Sequence, residues 1–339
     1  MSTGRYEKQH GWFRRCGRSG LKLPSISLGF WNNFGAAGTA SHGITDEHEF
    51  HEHARRMIWT AFDHGITHMD FANNYGPPPG AAEERCGRIL RDMPREELIV
   101  SSKAGWDMWP GPYGDGGTRK YLVTSCDQSI KRLGGDYLDI FYHHRPDPET
   151  PLEESLGALD FIVRSGRALY AGISSYPGDL VEEAMAICDR EGFIKPIIHQ
   201  PMYSMLNRGF ETNVLPAVEK ANLGVICFSP LAQGVLTGKY LNGIPSDSRL
   251  SNPSGTLTSD RVSPEVLERV RMLASIAQER GQELSQLALQ WVLRHDQMSS
   301  ALIGASRPEQ IVEATRSVEA PALSDEELSK IASILEEKI

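Results

Sequence analysis

The chain has 339 residues and a formal net charge of −9. That length suits two average domains or one α/β barrel, and an acidic balance without a basic block argues against nucleic acid as the main partner. Residues 1–18 are polar and basic without an apolar core, so they do not read as a secretory signal. No apolar stretch approaches the roughly 20 residues of a membrane span, and a cytoplasmic protein is expected. The five cysteines, Cys16, Cys86, Cys126, Cys188 and Cys227, are scattered and never paired as C-x-x-C. They are expected as free thiols in a reducing compartment.

The segment up to Leu23 is expected to form a small cap or hairpin. Apolar, β-branched runs then recur at residues 25–29, 67–71, 98–103, 138–143, 169–174, 196–200, 225–229 and 301–304. Continuous apolar character suits parallel strands covered on both faces. Amphipathic helical patterns separate them. Asp46 opens one that runs through Ala54, Met57, Ile58, Ala61 and Phe62 and stops at Gly65. Ser263-Pro264 opens another, and Ser306 with Glu309 and Ser324 with Glu327 match the S-x-x-E capping box. Eight strands alternating with helices predict a (β/α)8 TIM barrel, one domain over residues 1–339, rather than a doubly wound sheet. Three long connections, 31–45, 106–117 and 239–263, follow predicted strands. They are therefore expected at the C-terminal face, where barrel active sites lie.

Four polar residues fall at or just past strand ends: Asp70, Tyr75, Lys103 and His144. Neighbouring parallel strands lie about 5 Å apart, so the four can converge at the rim. A carbonyl that accepts hydride becomes an alkoxide and needs a proton. A phenol is a weak acid at neutral pH, and a nearby ammonium is expected to lower its pKa. A carboxylate would hold that ammonium charged, and an imidazole would hold the substrate oxygen.

The residues that carry this pattern resemble the aldo-keto reductases. The matching segments are Gly65-Ile-Thr-His-Met-Asp-Phe-Ala-Asn-Asn-Tyr-Gly76, Ile99-Val-Ser-Ser-Lys103 and Leu138-Asp-Ile-Phe-Tyr-His-His-Arg145, and the likeness runs from Gly17 to Glu336. The likeness is strongest to the branch holding potassium-channel β subunits and bacterial L-glyceraldehyde 3-phosphate reductases. The segments 73–80, 103–114, 233–245 and 304–310 carry it. The resemblance implies NADPH-dependent reduction of small aldehydes or ketones, such as L-glyceraldehyde 3-phosphate and methylglyoxal, with Tyr75 as proton donor. It implies that His144, not His143, is the site histidine. It implies cofactor contacts from Trp31, Ser174, Ser175, Gln200, Phe228, Ser229, Leu231, Gln233, Gly234, Lys239 and Arg249. An adenosine segment would follow at Gly304, Ser306, Arg307, Gln310 and Glu313. One departure is Ala314, where the family usually has Asn, so an adenine contact is expected to be missing.

A helix start at Ser306 with Arg307 beside it favours the extra phosphate of NADPH. Trp31, Trp106, Trp109 and Tyr113 are candidate pocket walls, and Arg145 and Arg208 are candidates for a substrate phosphate. No metal site is expected. His48, His51 and His53 read as a solvated helix face without H-E-x-x-H, and residues 111–117 and Gly238-Lys239 match no nucleotide-binding loop. The alternatives are a reductase of a bulkier ketone, a Schiff-base lyase acting through Lys103, and an NADPH-binding redox sensor. Channel β subunits tend to carry Asn where His144 stands, which favours a working enzyme. The branch also implies a homo-oligomer, tetramer or octamer, though no sequence feature fixes it.

Overall fold

The computed structural model describes residues 4–6, 11–40, 43–245, 250 and 257–336. A hairpin of β1 (Phe13–Arg15) and β2 (Lys22–Pro24) comes first. Then follow β3 (Ile26–Gly29), β4 (His68–Asp70), β5 (Ile99–Ala104), β6 (Leu138–His143), β7 (Ala168–Ser174), β8 (Ile198–Gln200), β9 (Gly224–Phe228) and β10 (Met298–Ile303). These eight pair in parallel, and β10 closes the ring between β9 and β3. The expected (β/α)8 barrel is the observed one.

The outer layer is α1 (Glu47–Asp63), α2 (Ala81–Leu90), α3 (Arg119–Leu133), α4 (Leu152–Arg164), α5 (Gly178–Glu191), α6 (Gly209–Asn213), α7 (Leu215–Ala221), α8 (Pro264–Glu279), α9 (Leu284–Val292), α10 (Pro308–Thr315) and α11 (Asp325–Glu336). Their ends follow the local chemistry. Asp46 accepts from the Glu49 N–H at 2.8 Å and starts α1, whose Phe50, Ala54, Met57, Ile58, Ala61 and Phe62 are all buried. Ser263 caps α8 with Pro264 at its first position. The Ser324 hydroxyl accepts from Glu327 N at 3.2 Å while the Glu327 carboxylate accepts from Ser324 N at 2.7 Å, as expected of a capping box.

Two local expectations need correction. Helix α10 is capped at Arg307, one residue later than expected, because Gln310 Oε1 rather than Glu309 turns back to accept from Ser306 N (2.8 Å) and Arg307 N (3.2 Å). His53 is not on a solvated face: it is buried, with Nε2 2.9 Å from the Ser306 carbonyl oxygen. The α1 position that faces inward at this height meets the chain entering α10, and the imidazole serves that carbonyl.

The hairpin plugs the N-terminal end of the barrel. Cys16 and Leu23 are fully buried with Ile140, Tyr142, Ile198 and Ile226 from the barrel interior. Contact is close enough that a Cβ on Gly224, at the start of β9, would lie 2.8 Å from the Cys16 Cα. All five cysteines are free and buried. Among the described residues no helix is long and apolar enough to cross a membrane.

Substituting Gly224→Ala therefore forces the hairpin off the barrel floor. We expect a loss of about 1–3 kcal/mol in unfolding free energy by urea denaturation, with cofactor affinity unchanged. An unchanged midpoint would mean that the hairpin does not seal the barrel.

Candidate active site

Strand alternation sets the site. On β5, Ser101 and Lys103 point into the barrel, while Ser102 points outward and donates to Glu83 at 2.5 Å. Asp70 ends β4, one strand away, in register with Ser101. Lys103 Nζ donates to Asp70 Oδ2 and to the Phe71 carbonyl, both at 2.6 Å, and both charged side chains are completely buried. The second carboxylate oxygen accepts from the Ser101 hydroxyl at 2.6 Å and from Gln200 Nε2 at 3.4 Å.

Tyr75 reaches this pair from the loop after β4. Asn73 N donates to the Lys103 carbonyl at 2.9 Å, and the Asn73 side chain donates to Tyr121 Oη at 2.9 Å. Tyr121 in turn donates to the Trp106 carbonyl at 2.5 Å, so the Tyr75 loop and the 106–117 loop share one anchor. Lys103 Nζ stands 5.0 Å from the Tyr75 ring centroid, and the His144 ring meets Tyr75 edge-on at 5.9 Å. Asp70, Tyr75, Lys103 and His144 thus share one mouth. His143 faces the helical layer instead, with Nδ1 2.7 Å from Tyr176 Oη. The two strand ends approach closely at Gly105, where a Cβ would lie 3.0 Å from the His144 Cβ.

The electrostatics differ from expectation at one point. Burial pushes the Tyr75 phenol up, the Lys103 ammonium pulls it back, and the net shift is upward rather than downward. The phenol is thus held protonated, which a proton donor requires. Burial would depress Lys103, but the Asp70 carboxylate and Tyr75 outweigh it and the ammonium is favoured. A firmly charged amine is a poor nucleophile, which weighs against Schiff-base chemistry. Burial, then the Lys103 charge, pushes His144 well below the ordinary histidine range. It is a neutral imidazole, and its buried Nδ1 has no hydrogen-bond partner among the described residues.

On the other side of Asp70, Ser174 Oγ donates to the Gln200 carbonyl at 2.9 Å, and Ser175 holds a left-handed φ of 61°. Beyond β9 the chain bends through Ser229 (φ 55°), Ala232 (47°), Gln233 (58°) and Gly234 (99°). Of the six described non-glycine residues with positive φ, only Asn222 lies away from this C-terminal rim. Backbone strain of that kind gathers at ligand sites. Lys239 folds back over the bend: a Cβ on Gly234 would be 3.0 Å from its Nζ. A bent backbone with an ammonium above it fits an anionic, phosphate-bearing group. Phe228 and Leu231 are partly exposed alongside.

A cleft of about 190 Å³ opens beside Ser229 and Gln233 and is also lined by Asp260, Arg261 and Val266. Sequence reasoning missed Met202, Asn207, Asp260 and Arg261 there, because nothing in their local pattern marks them. In the segment expected to hold adenosine, Gly304 and Arg307 are exposed and Ser306 and Gln310 partly so. The Glu313 carboxylate accepts from Ser285, and Ala314 is buried. Arg249 lies outside the described residues.

The candidate pocket walls separate. Trp106 is 46% exposed and edges His144 at 6.4 Å, and the Arg145 guanidinium stacks on it at 4.1 Å. Trp109 packs on Tyr121 at 5.3 Å instead, and Tyr113 is exposed. Trp31 is partly exposed on the 31–45 loop, which Asn33 ties to the Ala305 carbonyl at 2.8 Å. Arg145 pairs with Asp115 at 3.0 Å. Arg208 is engaged by Glu211 at 2.8 Å and Glu336 at 3.6 Å. Among the described residues no group of three His, Cys, Asp or Glu side chains could hold a metal.

The chain is 49% identical over 326 residues to the L-glyceraldehyde 3-phosphate reductase of Escherichia coli (strain K12), covering 94% of this chain and 91% of that protein. It is 36% identical over 332 residues to a probable voltage-gated potassium channel subunit beta of Arabidopsis thaliana, covering 96% and 97%. A similar subunit of Schizosaccharomyces pombe is 36% identical over 345 residues, covering 98% and 96%. The aldo/keto reductase family model matches residues 34–336, and with these relatives it establishes that the chain belongs to the aldo/keto reductase family of oxidoreductases.

Proposed function

We propose that this aldo/keto reductase uses NADPH to reduce short aldehydes and ketones in the cytoplasm, L-glyceraldehyde 3-phosphate and methylglyoxal among them. The observation that carries the reading is the buried Asp70–Lys103 pair set against the Tyr75 phenol with a neutral His144 at the same mouth. When bound, NADPH supplies the hydride. Tyr75 gives its proton to the oxygen of the carbonyl. Lys103 stabilises the phenolate that remains, and Asp70 keeps Lys103 charged and in place. The neutral His144 donates a hydrogen bond to the same oxygen as negative charge builds on it. Trp106 shields this corner from water.

Ser174, Ser175 and Gln200 would hold the nicotinamide amide, and Phe228 would stack on its ring. The bend at 229–234 with Lys239 would take the pyrophosphate. Arg307, exposed beside α10, would take the additional phosphate of NADPH. For a substrate phosphate the two arginines differ. Arg208 is held by two carboxylates, whereas Arg145 adjoins His144, is fixed through Nε to the Gly105 carbonyl at 2.7 Å, and pairs with one carboxylate, Asp115, that an incoming phosphate would replace.

Three outcomes follow. In Tyr75→Phe, kcat should fall by about 10²–10⁴-fold while NADPH still binds by fluorescence; retained turnover would remove Tyr75 from the chemistry. For Arg307→Ala, KM for NADPH should rise about tenfold and KM for NADH should hardly change, and equal losses with both cofactors would count against the phosphate role. Arg145→Ala should lower kcat/KM for glyceraldehyde 3-phosphate about tenfold and spare glyceraldehyde, so parallel losses on both substrates would exclude a phosphate contact.

A further inference from the structure

Inside the barrel, four neighbouring strands contribute one polar side chain each to a continuous chain of contacts. Ser300 Oγ on β10 lies 2.6 Å from Ser27 Oγ on β3. Ser27 Oγ lies 2.9 Å from His68 Nδ1 on β4, and His68 Nε2 lies 2.9 Å from Ser101 Oγ on β5. Ser101 then donates to Asp70 Oδ1 at 2.6 Å. Every side chain in the series is completely buried. A barrel interior is ordinarily filled by branched apolar residues, so a polar belt across half its girth needs a reason.

Proton counting fixes its direction. Asp70, paired with the Lys103 ammonium, only accepts. The single Ser101 hydroxyl proton is committed to Asp70, so Ser101 accepts from His68, whose proton therefore sits on Nε2. Nδ1 is then a bare acceptor and takes the Ser27 proton, and Ser27 accepts from Ser300. Burial, countered in part by Asp70, pushes His68 down to about 4, which agrees with a neutral ring carrying one proton. Each donor is polarised by the next, and all point toward one carboxylate oxygen.

We propose that His68 and Ser101 are positioning residues for the reaction: through a one-way hydrogen-bond belt they clamp Asp70 so that Lys103 is held against Tyr75. This rests on the reading of Tyr75 and Lys103 as the reacting pair. Asp70 has two oxygens. Lys103 takes one, and without the belt, among the described residues, only the long 3.4 Å contact from Gln200 restrains the other. Rotation of the carboxylate would then carry the ammonium away from the phenol.

The test combines kinetics with a readout independent of activity. In Ser101→Ala, kcat should fall about tenfold or more, as expected for a lost hydrogen bond to a charged group, with NADPH affinity unchanged. Ser101→Thr, which restores a hydroxyl, should recover most of it. Ser299→Ala removes a buried hydroxyl that bonds the Arg15 carbonyl at the hairpin, outside the belt, and should keep wild-type kcat. In ¹⁵N-histidine-labelled wild-type protein, the His68 signal, identified by its loss in His68→Gln, should report a neutral Nε2–H ring from pH 6 to 8. A protonated or Nδ1–H ring would overturn the belt, even if Ser101→Ala fails to fold. Wild-type kcat in Ser101→Ala, or an equal loss in Ser299→Ala, would overturn the positioning role. If Tyr75→Phe keeps turnover while the Nε2–H form is found, the reaction reading fails and the belt stands as structure alone.

Discussion

The contact between Lys103 and Asp70 is the constraint around which the barrel is built. Two opposite charges sit 2.6 Å apart with no solvent exposure. Such a pair repays its desolvation only when the remaining lone pairs and protons are also satisfied. Here they are: the ammonium has the Phe71 carbonyl, and the carboxylate has Ser101 and Gln200. Each satisfying group belongs to a different place in the chain, from the end of β4 to β8. The pair therefore ties the middle of the barrel to the residues that present the mouth, and loss of either charge would strand the other in an apolar interior.

Around that pair the molecule divides its labour by element type. Strand ends supply the groups that must not move, Asp70, Lys103 and His144. Loops supply the groups that shape access, Tyr75, Trp106 and the bend at 229–234. The loops are not loose appendages: Asn73, Tyr121 and the Trp106 carbonyl link two of them through one helix, and His53 anchors the entry to α10. Rigid strands with cross-braced loops hold a reacting geometry better than loops alone could.

Much of this was legible in the sequence, for a physical reason. Strands buried on both faces leave apolar runs, and all eight were found in the right order. The last one starts earlier than its apolar run, at Met298, because Ser299 and Ser300 interrupt the apolar pattern, and Ser300 faces the polar belt inside the barrel. The four residues at the mouth were visible because they stand at strand ends. The belt through Ser27, His68 and Ser101 was not, since inward-facing polar residues break the expectation of an apolar interior. His53 was misread because its burial depends on a partner 253 positions away. The bend at 229–234 carries left-handed φ at Ser229, Ala232 and Gln233, and only glycine advertises that conformation in a sequence. The direction of the Tyr75 shift depended on a balance between burial and a neighbouring charge that spacing alone does not weigh.

The floor of the barrel bears on the chemistry at its top. Tyr142 lies wholly buried between the hairpin and the mouth, its ring 5.8 Å from the Lys103 ammonium and its base among Cys16, Leu23 and Ile226. This aromatic layer works as an insulating gasket under the ion pair. Water or a small oxidant approaching from beneath meets the hairpin first, then a phenyl plane. On the proposed function, substrate, product and cofactor would then enter and leave at the mouth above, and traffic would queue there rather than flow from end to end.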